Sequence, residues 1–175
     1  MSHSDYIFKI LLLGDATVGK TSIVVRYIHN KFKEPYVMTI GMEPYSRFER
    51  VNGKKVCYSI WDIAGEKRFN IVTPMFYRSV QASLVVFDLT QRSSFENTKK
   101  WIEEAKKESP DQIFILIGNK NDLDDQRTIT EEEGQARAKE LGAHSYMETS
   151  ALTGNNIEIA FSEIGNTLLS TLINS

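Results

Sequence analysis

The chain has 175 residues, 21 Lys and Arg against 23 Asp and Glu, a formal charge of −2, and 41% apolar and 25% charged residues. These values fit a soluble globular chain with a well-filled core and exclude general nucleic-acid binding, which needs a basic face. The single cysteine, Cys57, excludes an internal disulfide and fits a reducing compartment, read as a small packing residue in mid-strand; residues 1–5 have no signal-type start, and no apolar run approaches the roughly 20 residues of a membrane span. One cytosolic, monomeric domain over residues 1–175 is expected.

The first element is the apolar run Tyr6–Leu13, a strand. It meets Gly14-Asp15-Ala16-Thr17-Val18-Gly19-Lys20-Thr21, which opens into the helical Ser22-Ile23-Val24-Val25-Arg26-Tyr27. Strand, glycine-bounded loop and helix give G-x-x-x-x-G-K-[ST] the context of a phosphate site. Gly14 and Gly19 allow successive N–H groups to converge on one anion, and the helix start adds uncapped donors and a positive dipole end. Lys20 would place its charge on the terminal phosphates, and Thr21 its hydroxyl on Mg²⁺.

Further along, Asn52-Gly53 separates two β-prone runs, 45–51 and 55–60, and predicts an antiparallel hairpin. The apolar runs 83–87 and 113–117 suit strands buried on both faces of a parallel sheet. Helices are expected over 94–108, with Phe95, Ile102 and Ala105 on one face, and from a Thr130–Glu133 capping box to Gly142. A last helix aligns Ile157, Ala160, Phe161, Ile164 and Leu168, a stripe read as core packing. The alternation predicts a three-layer α/β fold: a mostly parallel sheet with one antiparallel edge strand, and helices on both faces.

In such sheets ligands sit at the carboxyl ends of the strands, where three further motifs fall. Trp61-Asp62-Ile63-Ala64-Gly65 brings a carboxylate toward the Mg²⁺ neighbourhood and a glycine N–H toward a terminal phosphate. Asn119-Lys120-Asn121-Asp122 offers a carboxylate that can accept the ring N–H and amino group of guanine together, while its neighbours tie the loop to the phosphate loop. Adenine lacks that donor pair, and an unpaired acceptor discriminates strongly. Glu148-Thr149-Ser150-Ala151-Leu152 follows a short strand and presents backbone N–H groups to the purine carbonyl. His3, His29 and His144 stand apart in polar or terminal surroundings and are read as solvated residues, not metal ligands.

In this order and spacing the motifs resemble the Ras superfamily of small GTPases. Arg68-Phe69, Phe76-Tyr77-Arg78-Ser79-Val80, Leu84-Val85-Val86-Phe87-Asp88-Leu89-Thr90 and Glu148-Thr149-Ser150-Ala151 resemble its Rab branch, and the likeness runs over roughly residues 6–170. It implies a six-stranded P-loop NTPase fold and a GTP/GDP switch in vesicle traffic. It also implies effector, exchange-factor and activating proteins that read the switch loops. Thr39 resembles the switch threonine, binding Mg²⁺ through its hydroxyl and the γ-phosphate through its N–H. Phe32 resembles the aromatic packed on guanine, and Tyr36 the tyrosine near the phosphates. The implied nucleotide set is Asp15, Ala16, Thr17, Val18, Gly19, Lys20, Thr21, Ser22, Phe32, Tyr36, Thr39, Gly65, Asn119, Lys120, Asp122, Ser150, Ala151 and Leu152. Thr21, Thr39 and Asp62 would hold Mg²⁺, while Lys20, Thr39, Gly65 and Glu66 surround the reacting phosphate.

Departures from the pattern carry their own expectations. Glu66 stands where the family places a glutamine that orients the attacking water. Ionised, it cannot donate to the transition state and adds charge beside a triphosphate, so hydrolysis is expected to be slow. Met38 replaces a proline before the switch threonine, and residues 40–44 lack the usual aromatic, so no effector class carries over. The chain ends at Ser175 without the prenylated cysteines that anchor Rab proteins. Removal of a tail is the favoured reading, and action without a lipid is the other. Two alternatives stand beside the switch: a GTP-binding interaction module with little turnover, and a P-loop phosphotransferase, which Asp122 and the lack of an acceptor lid oppose.

Overall fold

The computed structural model describes residues 4–32, 38–66 and 73–173. Six strands form one sheet in the order β2-β3-β1-β4-β5-β6. They are β1 (Tyr6–Leu13), β2 (Met42–Val51), β3 (Lys54–Ile63), β4 (Ala82–Asp88), β5 (Ile113–Asn119) and β6 (Ser145–Thr149). Only β2 and β3 pair antiparallel; the other neighbours are parallel. The three-layer α/β expectation is met.

The helices are α1 (Lys20–His29), α2 (Thr73–Phe76), α3 (Arg92–Glu96), α4 (Thr98–Glu108), α5 (Glu131–Leu141) and α6 (Ile157–Ile173). Alternating side chains of the central strands feed two cores. Phe8, Ile10 and Leu12 join Leu84, Val86, Ile115 and Ile117 beneath α1 and α6. Leu11 and Leu13 join Val85, Phe87, Phe114 and Leu116 beneath α3, α4 and α5. A strand buried on both faces favours apolar residues at nearly every position, which is why these segments read as near-continuous apolar runs; the buried exception, Ser83, donates to Gln112 at 2.5 Å.

Local signals set the boundaries. Asn52 and Gly53 both adopt positive φ, +48° and +80°, as a tight hairpin with right-handed strand twist requires. Thr130 and Glu133 form the reciprocal capping box, and Gly142 closes α5 in the left-handed region. Leu168 and Leu169 are buried, so the α6 stripe is core, as expected.

Several expectations are corrected. The helix placed over 94–108 is two pieces meeting at Asn97; the Thr98 hydroxyl donates to the Phe95 carbonyl at 2.6 Å and competes with the helical N–H for it. The hairpin strands are longer than read: Met42–Pro44 pairs with Trp61–Ile63, so Asp62 lies within a strand, not a loop. His144 is exposed, as read, but not isolated: Thr167 lies at 3.2 Å and Glu163 at 3.8 Å. Cys57 is half-buried on the outer face of β3 and belongs to neither core.

Candidate functional site

β1 delivers the chain to Gly14 at the carboxyl edge of the sheet. Gly14 has φ +144°, and a Cβ there would lie 2.1 Å from the Val86 carbonyl oxygen. Gly19 has φ +103°, and its Cβ would lie 2.3 Å from Asn119 Nδ2. Any side chain at either position would push the loop off its neighbours. Thr17 has φ +68°, a left-handed conformation uncommon outside glycine.

α1 then begins at Lys20 with no side-chain cap and no acidic residue in its first turn. Its leading N–H groups, Thr21 and Ser22 among them, suit an anion. Lys20 is buried, and its Nζ donates to the carbonyls of Gly14 at 2.8 Å and Asp15 at 2.7 Å. Burial lowers its pKa to about 8, with the carboxylates of Asp62 and Asp15 pulling the other way. The ammonium is thus drawn across the loop rather than into solvent.

Beside it, the Thr21 and Thr39 hydroxyls lie 2.8 Å apart, and both donate to Asp62 Oδ2, at 2.5 and 3.1 Å. Asp62 is fully buried, and among the described residues its Oδ1 has no hydrogen-bond partner. Burial pushes the Asp62 carboxyl up, against the Thr21 hydrogen bond and the Lys20 charge. Two hydroxyls and an orphaned carboxylate oxygen form a hard donor set that fits Mg²⁺, which takes one or two carboxylates plus phosphate oxygens. Among the described residues no group of three His, Cys, Asp or Glu forms an all-protein cage. Gly65 completes this end: a Cβ on it would lie 2.3 Å from both Ala16 N and Asp15 C, so the loop after β3 rests directly on the phosphate loop.

The base end is organised by Asn119, the last residue of β5. Its Nδ2 donates to the Val18 carbonyl at 3.0 Å, while its Oδ1 accepts from Thr149 Oγ1 at 3.0 Å and the Ala151 N–H at 3.3 Å. Lys120, at φ +70°, donates to the Thr17 carbonyl at 2.9 Å and pairs with Asp88 at 2.6 Å. Ser150 Oγ donates to Asp122 Oδ1 at 2.5 Å, which orients the carboxylate. The loop carrying Ser150, Ala151 and Leu152 is fixed from below, because Arg26 of α1 donates to the carbonyls of Ala151 at 2.8 Å and Leu152 at 2.6 Å.

These contacts bring residues 14–22, Thr39, Asp62, Gly65, Asn119–Asp122 and 150–152 together at one edge of the sheet. Phe32 lies beyond α1, 37% exposed, with its ring on the surface. Tyr36 lies outside the described residues. Glu66 lines the same depression as Ala16, Gly19, Lys20, Thr21, Met38, Thr39 and Gly65. Sequence reading gave no role to Arg26, Asp88, Asn97 or Trp101, which brace the site from other elements; no local motif marks them. The Asp15 carboxylate is held by Asn97 and Trp101 at 2.7 and 2.9 Å, leaving its backbone for the loop.

A model of the Ras family matches residues 9–170. The Ras-related protein RHN1 of Nicotiana plumbaginifolia is 40% identical over 168 residues, 95% of this chain and 84% of its own. Ras-related protein Rab2BV of Beta vulgaris is 43% identical over 161 residues, covering 91% and 75%. Ras-related protein RABF2b of Arabidopsis thaliana is 42% identical over 161 residues, covering 91% and 80%.

The chain belongs to the Ras family, in its Rab-like branch. Ras-family proteins are small GTPases that bind guanine nucleotide with Mg²⁺, which fits the two halves of this site. Pro44 pairs with Trp61 on the exposed edge strand of the sheet. Among the described residues no helix is long and apolar enough to cross a membrane.

Proposed function

We propose that this chain is a Rab-like GTP/GDP switch of vesicle trafficking, working on the cytosolic face of endomembranes and hydrolysing GTP slowly on its own. One observation carries the reading: Glu66 lines the depression formed by Lys20, Thr21, Thr39 and Gly65, where the terminal phosphate belongs. The guanine edge is accepted by Asp122, with Asn119 and Lys120 setting its loop. Lys20 leaves its two carbonyls for the phosphate oxygens. Thr21, Thr39 and Asp62 would hold Mg²⁺, which when bound would neutralise charge on the terminal phosphates.

Hydrolysis is attack of water on the γ-phosphorus, with the bridging oxygen leaving on GDP. Glu66 can accept a proton from that water, but its carboxylate has no hydrogen to donate to the phosphoryl oxygens. Loss of one preorganised donor costs about 2.7–4 kcal/mol, roughly a hundred- to a thousandfold in rate. Thr39 and Gly65 stand on separate segments that the γ-phosphate joins through their N–H groups, so its departure frees both for partner proteins to read. Single-turnover hydrolysis tests this: Glu66→Gln is expected to accelerate the step by about that factor, and an unchanged rate would overturn it. Glu66 is also compatible with a second reading, a GTP-binding interaction module without useful turnover. Nucleotide released after purification separates the two, GDP marking a switch and persistent GTP the module.

A further inference from the structure

Strand register places Ile7, Cys57 and Phe48 side by side across β1, β3 and β2. All three face outward on a part of the sheet that neither core covers. Ile7 is 65% exposed, Phe48 54% exposed, and Cys57 half-buried between them. Alternation on a half-solvated sheet calls for polar residues there. An uninterrupted apolar row is the kind of exposed patch that marks a binding surface.

The neighbouring rows carry positive charge. On the hairpin side Arg50 pairs in register with Lys55, whose Nζ lies 5.9 Å from the Phe48 ring. On the other side Lys9 stands level with Ser59 and Ser46, its Nζ donating to the Arg78 carbonyl at 2.9 Å and packed on Trp61. Among the described residues, Arg50, Lys55 and Lys9 make no ion pair. Among the described residues the carboxylate on this face is Asp5, which accepts from the Lys55 backbone N–H at 2.7 Å.

We infer that this face docks an acidic amphipathic helix of a partner protein, with three apolar side chains on the Ile7–Cys57–Phe48 row and carboxylates over Lys9, Lys55 and Arg50. The dimensions agree. Two strand spacings span about 9.5 Å, and helix positions i and i+7 are about 10.5 Å apart. Rows two residues apart lie about 6.7 Å to either side, within reach of side chains flanking the apolar stripe of a helix. The surface is built of strand positions away from Thr39 and Gly65, so docking does not depend on the bound nucleotide.

The probe is a fluorescein-labelled 14-residue peptide with leucines at i, i+3 and i+7 flanked by glutamates. A scrambled peptide of equal composition serves as control, and fluorescence anisotropy is the readout. The peptide is expected to bind at least tenfold tighter than its scramble, equally to the GDP form and to the form holding a non-hydrolysable GTP analogue. Phe48→Thr and Lys55→Glu should each weaken binding about tenfold. Both positions lie on the surface, and unchanged nucleotide affinity in the variants will certify their folding. Equal binding of peptide and scramble, or retained affinity in Phe48→Thr, overturns the inference. So does sedimentation of the chain with phosphatidylserine vesicles when the peptide does not bind, or dimerisation lost in Phe48→Thr, since either assigns the face to another occupant.

Discussion

The Trp101 indole donates from Nε1 to Asp15 Oδ1 at 2.9 Å, fastening α4 to the phosphate loop across 86 residues of sequence. Asn97 holds the other carboxylate oxygen at 2.7 Å, from the junction where α3 meets α4. Trp101 is nearly buried, so its loss removes both packing and a hydrogen bond to a charged group. Trp101→Phe keeps most of the volume and removes the donor. A hydrogen bond to a charged group is worth about 1.5–3 kcal/mol, and partial exposure of this pair argues for the lower end. Urea unfolding should register that loss, and labelled GDP should dissociate faster because the loop beneath it is less firmly set.

Gly65 makes a sharper demand. A Cβ 2.3 Å from the Ala16 nitrogen forces the loop away from the phosphate loop, since backbone on both sides has no room to yield. Gly65→Ala should therefore bind GDP almost as well as the native chain while losing its preference for a GTP analogue by at least tenfold. Equal discrimination in the variant, measured by competition with labelled GDP, would remove Gly65 from the γ-phosphate reading.

The proposed function assigns base choice to Asp122, whose Oδ1 accepts from Ser150 Oγ at 2.5 Å. Asp122→Asn replaces an acceptor by a donor on the edge facing the base. Guanine then meets a donor with a donor, whereas the C2 oxygen of xanthine can accept from the new amide. GTP affinity should fall by two orders of magnitude or more, as expected for unpaired buried polar groups, and xanthosine triphosphate should bind better than to the native chain.

Glu148 gives a pH signature. Burial pushes its carboxyl up, but hydrogen bonds from Arg127 and Tyr146 outweigh that and hold it below the usual carboxylate range. A carboxyl depressed in the folded state adds stability above its unfolded pKa, and that stability is lost as pH falls through the folded value. Thermal unfolding should show Tm dropping below about pH 4.5, and Glu148→Gln, less stable at pH 7, should flatten that drop. Partial exposure keeps the effect modest.

Features fixed by neighbouring residues were legible in the sequence. The Asn52-Gly53 hairpin, the Thr130–Glu133 box and the glycine-bounded loop each depend on the conformations open to two or three adjacent side chains. So was the pairing of Asn119 and Lys120 with the phosphate loop, because the motif names both partners. Contacts without a local pattern were not legible: Arg26 to Ala151, Trp101 to Asp15, and the row through Ile7, Cys57 and Phe48 exist only once strand order and register bring distant positions together. The break at Asn97 was missed for a related reason, since helical periodicity continues across it.

Asn119, with one side chain serving Val18, Thr149 and Ala151 at once, couples the phosphate loop mechanically to the loop after β6. If the proposed function holds, prying at the phosphate side should also loosen the grip on the purine, so that leverage at a single point suffices to eject a spent nucleotide.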